Sequence, residues 1–332
     1  PQHIYKGNSN AVPIGTGMFK VLQYNKLKSM ELIYNDKWIG EVKPYVEKIH
    51  IAFINDVDAF SIAFQSKELD LLNTTSYDWE KYSEMKDVNA FKYSTMYYDF
   101  IGLNYNNTIF QDKAVRKAMI QGINRKSIVD RYLLGNAIVT DVPINPNSWL
   151  KDEDAEKYGY SRSEAQNLLK TAGFTDSNND GILERKVEES IQELRFTLIT
   201  NEENEFRRKA AEEIKKNLEE VGFGVEIKFI AFDGVKAAID SGEFDAVLTG
   251  YNLSNTQDLS FAFHSTQIEG GSNFMSYSNS EIDVLLQQAY IAMDDNIRKE
   301  TYKNLQKNFR EEVPCISLFF RDAALVVRDK IQ

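Results

Sequence analysis

Few residues in this sequence have the type and spacing needed for covalent chemistry. The single cysteine, Cys315, sits in the apolar run Pro314-Cys315-Ile316-Ser317-Leu318-Phe319-Phe320, where a thiol reads as a small buried hydrophobe. One thiol makes no internal disulfide and no zinc site by itself. His3, His50 and His264 stand far apart, without metal-ligand spacing. No G-x-S-x-G, H-E-x-x-H or C-x-x-C pattern supplies a nucleophile, a catalytic zinc or a redox pair. Acidic neighbours such as Glu202-Glu203 and Asp294-Asp295 read as solvated faces. A glycosidase carboxylate pair assembled from distant parts of the chain is the hydrolase alternative.

One stretch does have cation-binding spacing. Asp176-Ser177-Asn178-Asn179-Asp180-Gly181-Ile182-Leu183-Glu184 matches the first nine positions of an EF-hand-type loop. Asp176, Asn178, Asp180 and Glu184 supply the oxygens, and Gly181 the sharp turn. The closing bidentate acid should fall at Val187, but Glu188 stands one place later. An Asn-Asp-Gly turn needs no ion, so calcium is set against a plain turn. No other cofactor is expected.

Bulk properties narrow the function classes. A chain of 332 residues is too long for one typical core, which points to two lobes. The net charge of −11 would repel a phosphate backbone, so nucleic acid is not an expected partner. No apolar run approaches the length of a membrane-spanning helix. The 17 Tyr, 20 Phe and 3 Trp fill cores. Tyrosines also suit a binding cleft, because the ring packs on apolar ligand parts while the hydroxyl bonds polar ones. The chain opens Pro1-Gln2-His3, with no signal peptide or processing site. It is therefore expected to be a piece of a longer protein.

The elements that must position these residues follow from period and punctuation. Strands are expected at Met18–Tyr24, Met30–Tyr34 and Val46–Phe53, then a short helix from Asp56 to Gln65 and a strand at Glu68–Leu72. A strand-rich passage, Ala90–Leu103, leads into a helix capped by Asp112, with Val115, Ala118, Met119 and Ile123 on its apolar face. Ser161 and Glu164 form a capping-box pattern for the next helix, which stops at Gly173. A β-α-β unit follows: strand Leu194–Ile199, helix Glu203–Val221, strand Val225–Phe229. Helix Gly234–Ser241 leads to strand Phe244–Thr249 and the loop Gly250-Tyr251-Asn252-Leu253-Ser254-Asn255. Helices Ser280–Met293 and Ile297–Glu311 and a strand Leu318–Val327 complete the chain. The alternation indicates an α/β fold.

Four passages, in order, resemble the solute-binding proteins of the oligopeptide and dipeptide importers, family 5. They are Val12-Pro13-Ile14-Gly15-Thr16-Gly17-Met18-Phe19-Lys20-Val21; Tyr34-Asn35-Asp36-Lys37-Trp38; the block from Leu103-Asn104-Tyr105 through Phe110-Gln111-Asp112-Lys113-Ala114-Val115-Arg116 to Ile123-Asn124-Arg125; and Phe244-Asp245 with Gly250-Tyr251, Asn273-Phe274 and Asn279-Ser280-Glu281-Ile282-Asp283. The residues themselves read structurally. Gly15 and Gly17 permit a tight turn, Arg116 and Arg125 make ion pairs or carbonyl contacts, and Asp245 is a capping or turn residue.

The resemblance implies a two-lobed, periplasmic-binding-protein-like (type II) architecture whose amino-terminal part precedes Pro1. The first lobe would hold 1–99 with 318–332 and the second 100–317, with a hinge near 97–104 and 316–320. It implies a non-enzymatic binder, extracellular or periplasmic and monomeric, that delivers an oligopeptide or dipeptide to a membrane permease with its ATPase subunits. A leader or lipid anchor outside this chain would hold it at the membrane. A nickel complex, a sugar or a peptide-sensing role on the same fold are the alternatives. Tyr251, Asn252, Leu253 and Ser254 would line the ligand pocket, with Tyr97 and Tyr98 near the lobe crossing. Well-known peptide binders of the family place an aspartate three residues after the aromatic, to pair with a ligand ammonium. Here that position is Ser254. Either Asp258 replaces the anchor or the ligand has no free amino terminus there.

Overall fold

The computed structural model describes residues 14–54, 56–75, 79–155 and 158–331. Val12 and Pro13 of the opening motif, and His3, lie outside them. The described residues divide into two compact units at Leu72/Asn73 and Asp329/Lys330.

In the first unit β1 (Phe19–Asn25), β2 (Ser29–Tyr34) and β3 (Lys48–Ala52) form an antiparallel sheet in chain order. The turn after β2 is fixed by Asn35, whose buried side chain donates to the Gly17 carbonyl at 2.9 Å. Helix α1 (Val57–Gln65) starts where the Asp56 carboxylate accepts from the Ala59 amide at 2.7 Å. This satisfies one of the donors that a helix start leaves open. Strand β4 (Leu71–Thr74) crosses into the second unit.

The second unit is built on two long strands, β5 (Val88–Leu103) and, at the chain's end, β12 (Ile316–Arg328). They pair antiparallel from Ile316–Ile101 to Arg328–Val88. After β5 come α2 (Lys113–Gly122), α3 (Arg125–Tyr132), β6 (Ala137–Val139) and α4 (Arg162–Thr171). Asp112 and Ser161 cap α2 and α4, as their spacing requires. A hairpin of β7 (Glu184–Val187) and β8 (Ser190–Glu193) follows, which the sequence pattern did not reveal. The β-α-β unit comprises β9 (Arg195–Asn201), α5 (Glu205–Glu219) and β10 (Gly224–Ile230), its strands parallel as expected. Then come α6 (Phe232–Ser241), β11 (Ala246–Asn252), α7 (Ser260–Phe263), α8 (Ser280–Ile291) and α9 (Asp295–Glu312). The sheet runs β10-β9-β11-β5-β12, with β6 also on β12; β4, whose Asn73 and Thr74 belong to this unit, completes the order beyond β12.

Period-two alternation sends the two faces of this sheet into different cores. Ile101, Leu103, Leu198 and Phe319 pack with α2 and α5, against Met119, Ile214 and Leu218. Tyr98, Phe100 and Phe320 face the opposite way, into Phe263, Met275, Tyr302 and Phe309.

Three features sharpen the sequence expectations. Strand β11 continues through Gly250, Tyr251 and Asn252, where a loop was expected, because β5 offers Asp99, Tyr98 and Tyr97 as ladder partners. The compact units part at Leu72 and Asp329, whereas the sequence placed lobe limits at 99 and 318. The β5–β12 ladder extends as far as Val88–Arg328, so those stretches pack as one sheet. Arg116 and Arg125 are both buried on backbone carbonyls, among them those of Glu312 and Val313 for Arg116 and of Thr140 and Tyr158 for Arg125. Among the described residues, no helix is long and apolar enough to cross a membrane.

Candidate functional site

Strands β9 and β11 run parallel, and three residues separate the end of β9 at Asn201 from the start of α5 at Glu205. Crevices of α/β sheets form at such carboxyl ends. Here a cleft of about 410 Å³ lies within the second unit, lined by Tyr97, Asp99, Arg207, Gly250, Asn252 and Arg321, with Thr75, Asn204 and the Tyr98 and Tyr251 positions. Larger and similar hollows occur elsewhere. One of about 830 Å³ between Asp152, Lys303 and Arg310 is a surface trough of paired charges, remote from the strand ends.

The cleft is organised by a buried carboxylate. Asp99 is 2% exposed. Its Oδ1 accepts from Arg207 Nη2 at 3.0 Å, Arg207 Nε at 3.2 Å and Arg321 Nη2 at 3.0 Å, and its Oδ2 from Arg321 Nε at 2.5 Å. Arg207 reaches it from the first turn of α5, where Asn204 caps the helix by accepting from the Arg207 amide at 3.0 Å. Arg321 comes from β12 and lies over the Phe206 ring, 4.7 Å from its centroid. Gly250 makes room: a Cβ there would stand 2.7 Å from both Arg207 Nη2 and the Tyr98 carbonyl.

The sequence-derived candidates separate into several environments. Tyr97 is 44% exposed and lines the cleft, as does Asn252, its ladder partner. Tyr98 is buried, its hydroxyl bonded to Ser317 at 2.6 Å, so only its backbone borders the cleft. Tyr251 pairs with Tyr98, and its ring therefore stands on the aromatic face, 4.9 Å from Phe100 and 5.2 Å from Phe261. Its hydroxyl is buried without a hydrogen-bond partner among the described residues, and burial pushes its ionisation well above the usual phenol range. Leu253 is buried in the same core, while Ser254 is exposed and bonded to Thr256. Asp258 is not brought to the cleft. It accepts from the Ser260 amide at 2.9 Å and borders a different hollow with Trp149, Tyr290 and Arg298.

The Asp176–Glu184 turn is closed by its own groups. Asp176 accepts from the Asp180 and Gly181 amides, and Asn178 also accepts from Asp180. Arg195 lies 2.7 Å from Asp180 Oδ2, and Glu184 turns away to Ser177. Among the described residues, no group of three or more His, Cys, Asp or Glu side chains is placed to hold a metal.

Arg207 and Arg321 were missed as cleft residues, although a signal existed. An arginine in a helix's first turn opposes the helix dipole, and charges inside the apolar strands Tyr97–Ile101 and Leu318–Ala323 demand partners.

A family model described as bacterial extracellular solute-binding proteins, family 5 Middle, matches residues 1–273. The chain belongs to this family. It is 29% identical over 327 residues to the oligopeptide-binding protein AppA of Bacillus subtilis, covering 96% of this chain and 59% of that protein. The solved structure of that AppA, in complex with a nonapeptide, superposes with a TM-score of 0.72 at 27% identity, over 98% of this chain and 65% of that one. NikZ of Campylobacter jejuni, in complex with Ni(L-His), gives a TM-score of 0.76 at 23% identity over 99% and 67%, a likeness of fold alone. The mixed α/β fold is thus that of the periplasmic binding proteins. The chain spans about three fifths of the length of the curated relatives it matches.

Proposed function

We propose that this chain is part of the solute-binding component of an ABC importer, which captures an oligopeptide or dipeptide and hands it to a membrane permease powered by ATPase subunits. The observation that carries the reading is the cleft at the ends of β9 and β11, next to the start of α5, in a chain of a solute-binding family. Tyr97 and Asn252 present exposed polar tips there, suited to a ligand backbone, beside a fixed guanidinium pair. The protein binds and releases its solute unchanged. It works outside the cytoplasmic membrane as a monomer, held there by a leader or lipid anchor. Closure of the lobes holds the solute, and the closed form is the one the permease engages.

The test is a calorimetric and thermal-shift titration of the full-length protein with di- to hexapeptides. A ligand at 100 times its Kd should stabilise the fold by about 2.7 kcal/mol. If no peptide gives heat or raises the Tm, the peptide assignment fails.

A further inference from the structure

We infer that the solute docks a carboxylate group on Arg207 and Arg321. The inference rests on the solute-binding reading and adds the chemical class of the group recognised.

Charge carries the first step. Two guanidiniums share the single carboxylate of Asp99, and no other acid pairs with either among the described residues. One positive charge is left over, in a protein of net charge −11. The side chains of Arg207 and Arg321 are only 17% and 23% exposed, so solvent screens that charge weakly.

Geometry carries the second step. Arg321 spends Nε and Nη2 on Asp99, and its Nη1 makes no hydrogen bond among the described residues. Among the described residues Arg207 Nη1 has only Asn201 Oδ1, at 3.4 Å. The Tyr97 hydroxyl and the Asn252 side-chain amide line the same cleft and have no hydrogen-bond partner among the described residues. Asn204, the cap of α5, borders it too, so the positive end of the helix dipole adds to the field. Asp99 and the Phe206 ring hold the guanidiniums in place before any ligand arrives, which lowers the ordering cost of binding.

The balance of charge selects the ligand group. A carboxylate brings one negative charge and neutralises the cluster, with planar geometry suited to guanidinium. A phosphate brings nearly two and would be repelled by Asp99. The carboxylate has two sources, a peptide's α-carboxyl terminus or the carboxylates of a small chelate or organic acid.

The experiment uses the full-length protein and pooled tri- to hexapeptides, prepared as free acids and as carboxy-terminal amides, with nickel–histidine as a third probe. Free acids should bind at least about tenfold tighter than amides, and R321Q should erase the difference. Tyr97→Phe, which leaves the arginine cluster intact, should weaken the acids about threefold more than it weakens the amides, so the inference stays testable if R321Q does not fold. Nickel–histidine binding that is lost in R321Q, with no peptide bound, would keep the carboxylate and assign it to the chelate. Acids and amides bound equally by the wild type would overturn the carboxylate inference and leave peptide capture standing. No binding of any probe would remove both.

Discussion

The two faces of one strand, β5, are built on opposite principles. Tyr98 and Phe100 point into an aromatic stack, their rings 5.2 Å apart and nearly parallel, with Tyr251 and Phe320 closing around them. Asp99, between them in sequence, points the other way, to two arginines and a cleft. One face gains free energy by excluding water from carbon. The other holds charge out of water, which is costly unless every group is paired. The aromatic face should therefore set stability, and the charged face should set what the protein recognises.

The sharpest way to break that division is Phe100→Ala. Phe100 is fully buried, and its loss leaves a cavity between Tyr98 and Tyr251. Unfolding in urea should show a loss of about 3–5 kcal/mol. The preference for free acids over amides should survive. A loss of acid preference instead would show that the two faces are not separable.

Asp99→Asn comes next. It keeps the shape but leaves two partly buried guanidiniums facing each other without a counter-charge. The expected cost is about 3 kcal/mol by urea denaturation. A cost below about 1 kcal/mol would place the cluster among solvent-screened ion pairs. It would then no longer be the fixed charge on which the carboxylate proposal depends.

How much of this was legible in the sequence also differs between the faces. Hydrophobic period and capping signals are local, and they located the β-α-β unit of β9, α5 and β10 and the caps Asp112 and Ser161. The cleft depends on pairings between residues more than 100 positions apart: Asp99 meets Arg207 and Arg321 only because β5, β12 and α5 converge. The direction of the Tyr251 ring was not legible for a related reason. With Gly250 in a loop its ring could point anywhere, but once β11 pairs with β5 the register fixes it opposite Tyr98, on the apolar side. A one-residue slip in pairing register decides which face a side chain serves.

Tyr251→Phe tests that face assignment with the smallest perturbation. The Tyr251 ring packs against Phe100, Phe261 and Phe274, and its buried hydroxyl has no hydrogen-bond partner among the described residues. An unsatisfied buried hydroxyl is a liability, so its removal should raise stability by about 1 kcal/mol near neutral pH. The gain should widen in alkali. Burial raises the folded-state ionisation of Tyr251 above its unfolded value near 10. The tyrosine's contribution is therefore intact below pH 10 and falls away above it, by up to about 1.4 kcal/mol per pH unit until the folded group itself ionises. Phenylalanine has no such term. Urea denaturation of both proteins between pH 8 and 11 reads both effects. If Tyr251→Phe instead leaves stability unchanged and weakens solute binding, the hydroxyl waits for a ligand, and the aromatic face takes part in recognition after all.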